Sequence, residues 1–237
     1  MNYTVATAKG QRDYQEDTYL VAELPQGHLF GCFDGHGGDE ASQWMARNFK
    51  KQFEVREEII DSLRIAFSKS AAMLKAYEAG TTASVVFIPT DSHVVYTAVI
   101  GDSPIIIETP SGRWYGPDHN VRTNEQEARD VVARGGRISN GYAMHGWEGL
   151  QMGRALGDAK LASILSTTPE VSHVTVADKG YVLIGTDGLF DPAHYDFKRA
   201  VDNVVNEISL GADAQRLVDY AVSAPTHDNA TAILVRF

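Results

Sequence analysis

Three acidic residues stand at the ends of apolar segments, each beside a small or turn-forming residue. Asp34 follows one such segment, Asp187 follows a second, and Asp228 precedes a third. Each acid alone also has a structural explanation, because Asp-Gly is a common turn and Asp-Asn can cap a loop. The segment Asp34-Gly35-His36 adds a glycine backbone and an imidazole, so it can hold a metal ion and move protons. Together, the three acids predict a shared site for metal-dependent chemistry at several strand ends.

The candidate ligands are all oxygen atoms, which suits hard divalent cations. Mg²⁺ and Mn²⁺ prefer carboxylates, backbone carbonyls and waters in near-octahedral geometry. Asp34, Asp187 and Asp228 supply carboxylates. Gly35 supplies a carbonyl that an ion can approach without a side-chain clash. We therefore predict a site for Mg²⁺ or Mn²⁺.

A charged segment near the N-terminus, residues 12–17, adds ligands of a second kind. Arg12 presents a planar set of N–H donors that matches phosphate oxygens. Glu16 and Asp17 can bind a metal ion or its waters. Because charged loops are usually just solvated, this segment gains its meaning from the motifs that accompany it.

Composition limits the classes of partner. The chain has 237 residues, which fits one domain with a substantial core. Its formal charge is -10, with 31 acidic and 21 basic residues, which argues against nucleic acid or an anionic membrane. The sequence has no apolar run of membrane-spanning length, and its first residues do not resemble a signal peptide. We therefore expect a cytoplasmic protein that acts as a monomer.

The single cysteine, Cys32, excludes an intrachain disulfide framework and a thiolate metal cage. It also tests one kind of phosphate chemistry. A cysteine-based phosphatase needs an arginine six positions after its nucleophile, and that position is Gly38. We interpret Cys32 as a buried strand residue, because free cysteine behaves as a small hydrophobe.

Hydrophobic spacing predicts the elements that would position these residues. A capping box formed by Thr123 and Gln126 is expected at one helix start, and residues 135–157, which are rich in glycine, are expected to be irregular and mobile. Helices are predicted near 41–53, 59–67, 124–134, 196–208 and 212–222, and strands near 3–8, 18–22, 28–33, 81–88, 93–100, 104–109, 171–176, 181–186 and the C-terminus.

Strands in blocks and helices in pairs favour an α+β fold with antiparallel sheets over a parallel sheet. Two stacked sheets with helix pairs outside would bury all the apolar faces.

Eight short motifs then occur in an order that resembles the metal-dependent serine/threonine protein phosphatases of the type 2C, or PPM, family. Any one motif is weak evidence, but the ordered set is highly specific and covers nearly the whole chain. The matching segments are RDYQED at 12–17, FDGHGG at 33–38, GTTA at 80–83, GDSP at 101–104, DH at 118–119, GRALGD at 153–158, GTDGLFD at 185–191 and HDNAT at 227–231.

This resemblance implies a central antiparallel β-sandwich flanked by helix pairs, a four-layer α/β/β/α arrangement, with metals in a cleft at one end. It implies one PPM-type phosphatase domain over residues 1–237. It further implies hydrolysis of phosphoserine and phosphothreonine in proteins, by direct attack of a water activated by two Mn²⁺ or Mg²⁺ ions.

The resemblance also assigns roles to the metal ligands. Asp34 would bridge the two metals, and Gly35 would bind one of them through its carbonyl. Asp187 and Asp228 would bind the other metal. Asp17 would hold the first metal directly or through water.

Four further residues acquire a role by the same comparison. Glu16 would support Asp17 at the first metal. Arg12 would grip the substrate phosphate, and His36 matches the family's proposed general acid. Asp102, together with Asp187, matches a weaker third metal site found in some members.

Two departures from the family pattern bear on function. The usual arginine after Gly-Asp-Ser is replaced by Pro104, which removes one donor. The segment at 135–165, which corresponds to the family's variable flap, is short and carries Tyr142, His145 and Trp147. Substrate choice is therefore the least constrained property.

Two other functions stay open at this point. A catalytically silent PPM-like module would bind a phosphoprotein without turnover, and a missing metal carboxylate would be its mark. A hydrolase of small phosphorylated metabolites could use the same metals and would need a deep, selective pocket. Every core acid is present, which favours an enzyme over a silent module. Phosphorylated proteins are the partners that the resemblance implies.

Overall fold

The computed structural model describes residues 1–190, 197–223 and 228–237. The helices are α1 (Glu40–Gln52), α2 (Ile59–Leu74), α3 (Glu125–Ala133), α4 (Asp187–Phe190), α5 (Phe197–Ser209) and α6 (Ala214–Ser223). The strands are β1 (Asn2–Ala8), β2 (Thr18–Leu24), β3 (Gly27–Phe33), β4 (Gly35–His36), β5 (Gly80–Thr81), β6 (Ala83–Pro89), β7 (Val94–Ile100), β8 (Ile105–Thr109), β9 (Gly112–Tyr115), β10 (Arg137–Ser139), β11 (Tyr142–His145), β12 (Glu148–Leu150), β13 (Leu156–Gly157), β14 (Glu170–Thr175), β15 (Tyr181–Gly185) and β16 (Ala230–Arg236).

Two five-stranded sheets form the centre of the fold. One has the order β1-β16-β15-β8-β9 and the other the order β14-β7-β6-β3-β2. All neighbouring strands in both sheets run antiparallel. Two smaller sheets have the orders β13-β5-β4 and β10-β11-β12.

The strand β3 lies between two hydrophobic cores, so its residues are apolar on both faces. Phe30 and Cys32 point into the core shared by the two sheets, where Ile184 packs with them. Leu29 and Phe33 point the other way, into a core covered by helices. Because side chains alternate along a strand, a strand between two cores reads as a continuous apolar run. The buried position of Cys32 confirms its interpretation as a strand residue.

Helix pairs cover the outer face of each sheet. Phe49 of α1 and Phe67 of α2 meet edge to face at 5.1 Å above one sheet. Val205 of α5 and Leu217 of α6 are buried against the other sheet. Truncating Phe49 or Phe67 to alanine would cost about 3–5 kcal/mol of folding free energy. The four-layer α+β prediction is confirmed.

The expectation of an irregular segment at 135–157 is wrong. Strands β10, β11 and β12 pair antiparallel there, and β13 follows at its end. These strands are two to four residues long, too short for an alternating pattern to be visible in the sequence. The strand β9 and the short helix α4 were missed for the same reason.

The predicted capping box at the start of α3 is also wrong. The side chain of Asn124 caps the helix by accepting from the backbone N–H groups of Gln126 and Glu127. The Thr123 hydroxyl instead donates to the Asp118 carboxylate at 2.6 Å. The prediction failed because of two neighbours in the chain: Asn124 forms the cap, and Asp118, five positions before Thr123, accepts from its hydroxyl.

Several sequence predictions touch residues outside the described ranges. The helix predicted from 196 is seen from Phe197 onward as α5, and the motif ends Asp191 and His227 are not described. Among the described helices, none is both long and apolar enough to cross a bilayer.

Candidate active site

The predicted acids lie at one end of the β-sandwich. Since β15 and β16 are antiparallel neighbours, Asp187 after the first strand and Asp228 before the second fall at the same edge. The Cys32 thiol near the end of β3 contacts the Ile184 carbonyl at 3.7 Å. That contact brings the end of β3, and Asp34 after it, to the same edge from the other sheet.

The carboxylates at this edge repel one another. Burial raises the pKa of Asp34 well above its ordinary value, and the charges of four nearby acids raise it further. Burial is also the largest cause that raises the pKa values of Asp17 and Asp102, each to about 7. A bound cation would relieve this repulsion, so the donor set fits a divalent metal. The four acids around Asp34 are Asp187, Asp17, Asp228 and Asp102.

Side chains alone do not complete a metal shell. Within residues 1–190, 197–223 and 228–237, no group of three or more His, Cys, Asp or Glu side chains is arranged to hold an ion by itself. Mg²⁺ usually keeps several waters and takes only one or two carboxylates. The acids at the sandwich edge would therefore bind ions together with backbone carbonyls and waters.

Asp17 is held in place by two threonine hydroxyls. Thr186 and Thr231 each donate to its Oδ2 atom at 2.8 Å. The Thr231 oxygen lies 2.9 Å from the Thr7 hydroxyl, and Gln15 donates to Thr7 at 2.6 Å. Because Thr231 donates its single hydroxyl hydrogen to Asp17, the Thr7 hydroxyl must donate to Thr231. The chain of hydrogen bonds therefore runs in one direction and ends on the carboxylate.

Glu16 links the N-terminal segment to the segment that follows β3. Its Oε1 atom accepts from the backbone N–H of Gly38 at 2.6 Å, and its carbonyl accepts from the Ser42 hydroxyl at 2.6 Å. A side chain at Gly35 would collide with that carbonyl and with Ser42. Close packing of the backbone, besides any approach of an ion, therefore requires glycine at this position.

Arg12 and Asp228, which the sequence assigned to phosphate and to metal, are in contact. The Arg12 Nη2 atom lies 2.8 Å from the Asp228 Oδ2 atom, with 42% and 22% of the two side chains exposed. A guanidinium carries five N–H groups, so this ion pair is compatible with a second, phosphate-binding contact. The pair places Arg12 at the rim of the acid cluster.

His36 is oriented by a residue that the sequence did not single out. Its Nε2 atom lies 2.9 Å from the Asp158 Oδ2 atom. Within the described structure, its Nδ1 atom is buried without a hydrogen-bond partner. Strand pairing places His36 opposite Gly80, where any side chain would overlap both His36 and Asp158. The glycine therefore makes room for the pair.

Asp102 is the acid that the family resemblance assigns to a third metal site. Its Oδ2 atom accepts from the Asn120 side chain at 2.8 Å. Its Oδ1 atom is buried and has no hydrogen-bond partner among the described residues. An unsatisfied buried carboxylate oxygen is costly, and a cation would satisfy it.

This arrangement of acids, arginine and histidine agrees with a family-level match. A model for "Protein phosphatase 2C" matches residues 2–230. The chain belongs to the protein phosphatase 2C family.

Curated relatives share the family name. A "Probable protein phosphatase 2C 58" of Arabidopsis thaliana is 27% identical over 249 residues, covering 97% of this chain and 85% of the relative. A "Probable protein phosphatase 2C 6" of Paramecium tetraurelia is 26% identical, covering 100% of this chain and 92% of the relative.

Solved structures share the fold. A Caenorhabditis elegans sex-determining protein matches with a TM-score of 0.80 and 25% sequence identity. The match covers 99% of this chain and 64% of that chain. A serine-threonine phosphatase 2C from Toxoplasma gondii matches with a TM-score of 0.77 and 22% sequence identity, and the match covers 99% of this chain and 94% of that chain.

Residues of two phosphatase 2C motifs hold the backbone of Asp34 through hydrogen bonds. The Thr82 hydroxyl of GTTA accepts from the Asp34 backbone N–H at 3.1 Å and lies 2.6 Å from the Ser103 hydroxyl of GDSP. Pro104, which departs from the family pattern, accepts from the Gly185 backbone N–H at 3.1 Å through its carbonyl. The substitution therefore leaves this contact between β8 and β15 intact.

Sequence reasoning missed the residues that hold the functional side chains. Four of them lie inside the quoted family motifs and the fifth, Asn120, directly follows one, but their types and spacing do not reveal which side chains they contact. The missed residues are Thr186, Thr231, Asp158, Asn120 and Asn229.

Proposed function

We propose that this chain is a metal-dependent serine/threonine protein phosphatase. The observation that carries the proposal is the cluster of mutually repelling carboxylates at the sandwich edge, with Arg12 at its rim. The names of the family and its relatives support this activity. The core shared by the two sheets supports a single domain over residues 1–237.

The proposed metal ligands are those that the sequence pattern indicated. Asp34 would contact two ions, with the Gly35 carbonyl and Asp17 on one side and Asp187 and Asp228 on the other. When bound, two Mg²⁺ or Mn²⁺ ions would activate a water and neutralise charge on the phosphoryl oxygens.

Two further acids have secondary roles in this proposal. Asp102 would serve a weaker third ion, since one of its oxygens lacks a partner among the described residues. Glu16 would act mainly by holding the segment after β3, because its Oε1 atom already accepts from Gly38.

The remaining chemistry falls to Arg12 and His36. Arg12 would bind the substrate phosphate through its planar N–H groups. His36 would give a proton to the departing serine or threonine oxygen, because an alkoxide is a poor leaving group. Since Nδ1 is buried and Nε2 is held by Asp158, the contact between Nε2 and Asp158 would open during the transfer.

One experiment separates this function from its two alternatives. Purified protein is assayed with Mn²⁺, with Mg²⁺ and after chelation, on phosphoserine and phosphothreonine peptides and on a panel of small phosphate esters. We expect metal-dependent turnover with the highest kcat/KM on the peptides. A higher kcat/KM on one small ester would replace the proposal with a metabolite phosphatase. Mn²⁺ binding without any turnover would indicate a silent binding module.

A further inference from the structure

The side chain of Asn229 is buried between the strand that Asp228 precedes and the N-terminal charged segment. It is 4% exposed. Its Nδ2 atom donates to the carbonyls of Lys9 at 2.8 Å and Tyr14 at 3.0 Å. Its Oδ1 atom accepts from the Glu16 backbone N–H at 2.8 Å. One amide therefore makes three hydrogen bonds to the segment that carries Arg12.

The orientation of this amide is determined by its partners. Nδ2 faces two carbonyl oxygens and Oδ1 faces one N–H, so a flipped amide would place oxygen against oxygen twice. The residue must therefore offer two donors and one acceptor in a short side chain. Among the common residues, asparagine meets this requirement.

Backbone packing independently shows that the segment rests on this corner. Gly10 adopts a φ of 62°, and a side chain there would collide with the Asp228 carbonyl. On the other side, a side chain at Gly188 would collide with the Asn229 carbonyl. Asn229 thus lies where the Arg12 segment, the start of α4 and the Asp228 turn meet.

Other contacts hold the end of the segment that carries the proposed metal ligand. Glu16 is fixed through Gly38 and Ser42. Asp17 is fixed by two threonine hydroxyls. Loss of the Asn229 amide should therefore disturb Arg12 more than it disturbs Asp17.

We propose that Asn229 is a positioning residue for substrate phosphate: it holds the segment at 9–16 so that Arg12 stands beside Asp228. This inference rests on the proposed phosphatase function for its kinetic consequence. Its structural part, the anchoring of the segment, does not depend on activity.

The kinetic test uses Asn229→Ala and the milder Asn229→Ser, with Asn48→Ala as the matched control. Asn48 donates to the Trp44 carbonyl within α1, away from the acid cluster. At saturating Mn²⁺ we expect Asn229→Ala to raise KM for a phosphopeptide by about 10-fold, as for loss of a positioned charged contact. Asn229→Ser should show a smaller rise, and Asn48→Ala none.

A double-mutant cycle with Arg12→Ala separates positioning from general loosening. If Asn229 acts through Arg12, Asn229→Ala should change KM by less than about 2-fold in the Arg12→Ala background. The Mn²⁺ dissociation constant, measured by calorimetry, should change by less than about 3-fold. Additive KM effects, or a parallel loss of Mn²⁺ affinity, would overturn the proposal.

Limited trypsin cleavage tests the anchoring without any assay of turnover. The segment offers cleavage sites after Lys9 and Arg12. We expect cleavage there to be about 5-fold faster or more in Asn229→Ala than in Asn48→Ala, because the local opening free energy falls. Equal rates would overturn the anchoring. If the wild-type chain hydrolyses no phosphopeptide, the proposed function fails, while faster cleavage in the variant would still support the anchoring.

Discussion

The imidazole of His36 and the carboxylate of Asp158 meet at 2.9 Å, although 122 positions separate them in the chain. An ionised carboxylate only accepts hydrogen bonds, so Asp158 keeps a hydrogen on Nε2 of the ring. Since Nδ1 is buried without a partner among the described residues, proton exchange with a substrate would require the contact between Nε2 and Asp158 to open. The side chain of Asp158 is 9% exposed, so water competes little for this contact.

Substitution of Asp158 should therefore weaken His36 selectively. We expect Asp158→Asn to lower kcat for a phosphoserine peptide by about 10-fold or more, and His36→Ala to lower it by about 100-fold or more. Both should affect p-nitrophenyl phosphate far less, because its phenolate departs without a proton. Steady-state rates on both substrates measure this, with Asp61→Asn on α2 as control. Equal losses on the two substrates would remove the general-acid assignment.

The proposed metal ligands Asp34 and Asp187 should be essential. Asp34→Asn and Asp187→Asn each replace a charged oxygen ligand with a weaker neutral one. We expect kcat/KM to fall by about 1000-fold or more, with weaker Mn²⁺ binding by calorimetry. Robust activity of either variant after chelation would contradict a metal-dependent mechanism.

Arg12 should contribute to phosphate binding without supporting metal binding. Arg12→Ala should raise KM by about 10-fold and change kcat little, since the guanidinium contacts oxygens present in the ground and transition states. Mn²⁺ affinity should not fall, because Arg12 is a positive charge beside Asp228. Arg56→Ala, which removes an exposed ion pair with Glu54, serves as control. Loss of Mn²⁺ affinity with an unchanged KM would show that Arg12 was assigned wrongly.

The hydroxyl of Thr231 should lower the pKa of Asp17 and so favour metal binding. Its hydrogen bond lowers the pKa of Asp17 against the raising effect of burial, so Thr231→Val should raise that pKa further. We expect Mn²⁺ affinity at neutral pH to drop by about 10-fold, as for lost partners of metal ligands. Thr97→Val is the matched control, because the Thr97 hydroxyl is buried without a partner in the described structure. Equal Mn²⁺ affinity in the two variants would argue against the role of Thr231.

Stability without metal should fall as pH rises. Burial raises the pKa of Asp17 from 3.8 to about 7 in the folded chain, so the folded state binds more protons than the unfolded state between these values. The unfolding free energy therefore decreases as pH increases through this window. Thermal unfolding after chelation should show this trend, with a smaller slope in Asp17→Asn. Added Mn²⁺ should raise Tm most at the upper end of the window, because it replaces the protons.

The sequence by itself was enough to predict the layered α+β fold and the acids at the strand ends. A short apolar run and a four-residue spacing are both local patterns that depend on the geometry of one strand or helix, so β3 and α1 could be predicted from the sequence. Asp34 and Asp187 were visible because acids directly after apolar strands stand at sheet edges. Their assignment as metal ligands stays a prediction.

Only the tertiary structure decided which side chains hold these acids in place. Asn229 reaches Glu16 across 213 positions, and Thr186 reaches Asp17 across 169. A hydroxyl or amide can bond to many partners, and its choice depends on which backbone atoms the fold brings within 3 Å or so. No local pattern carries that information, since it arises only when the strands have been paired and stacked.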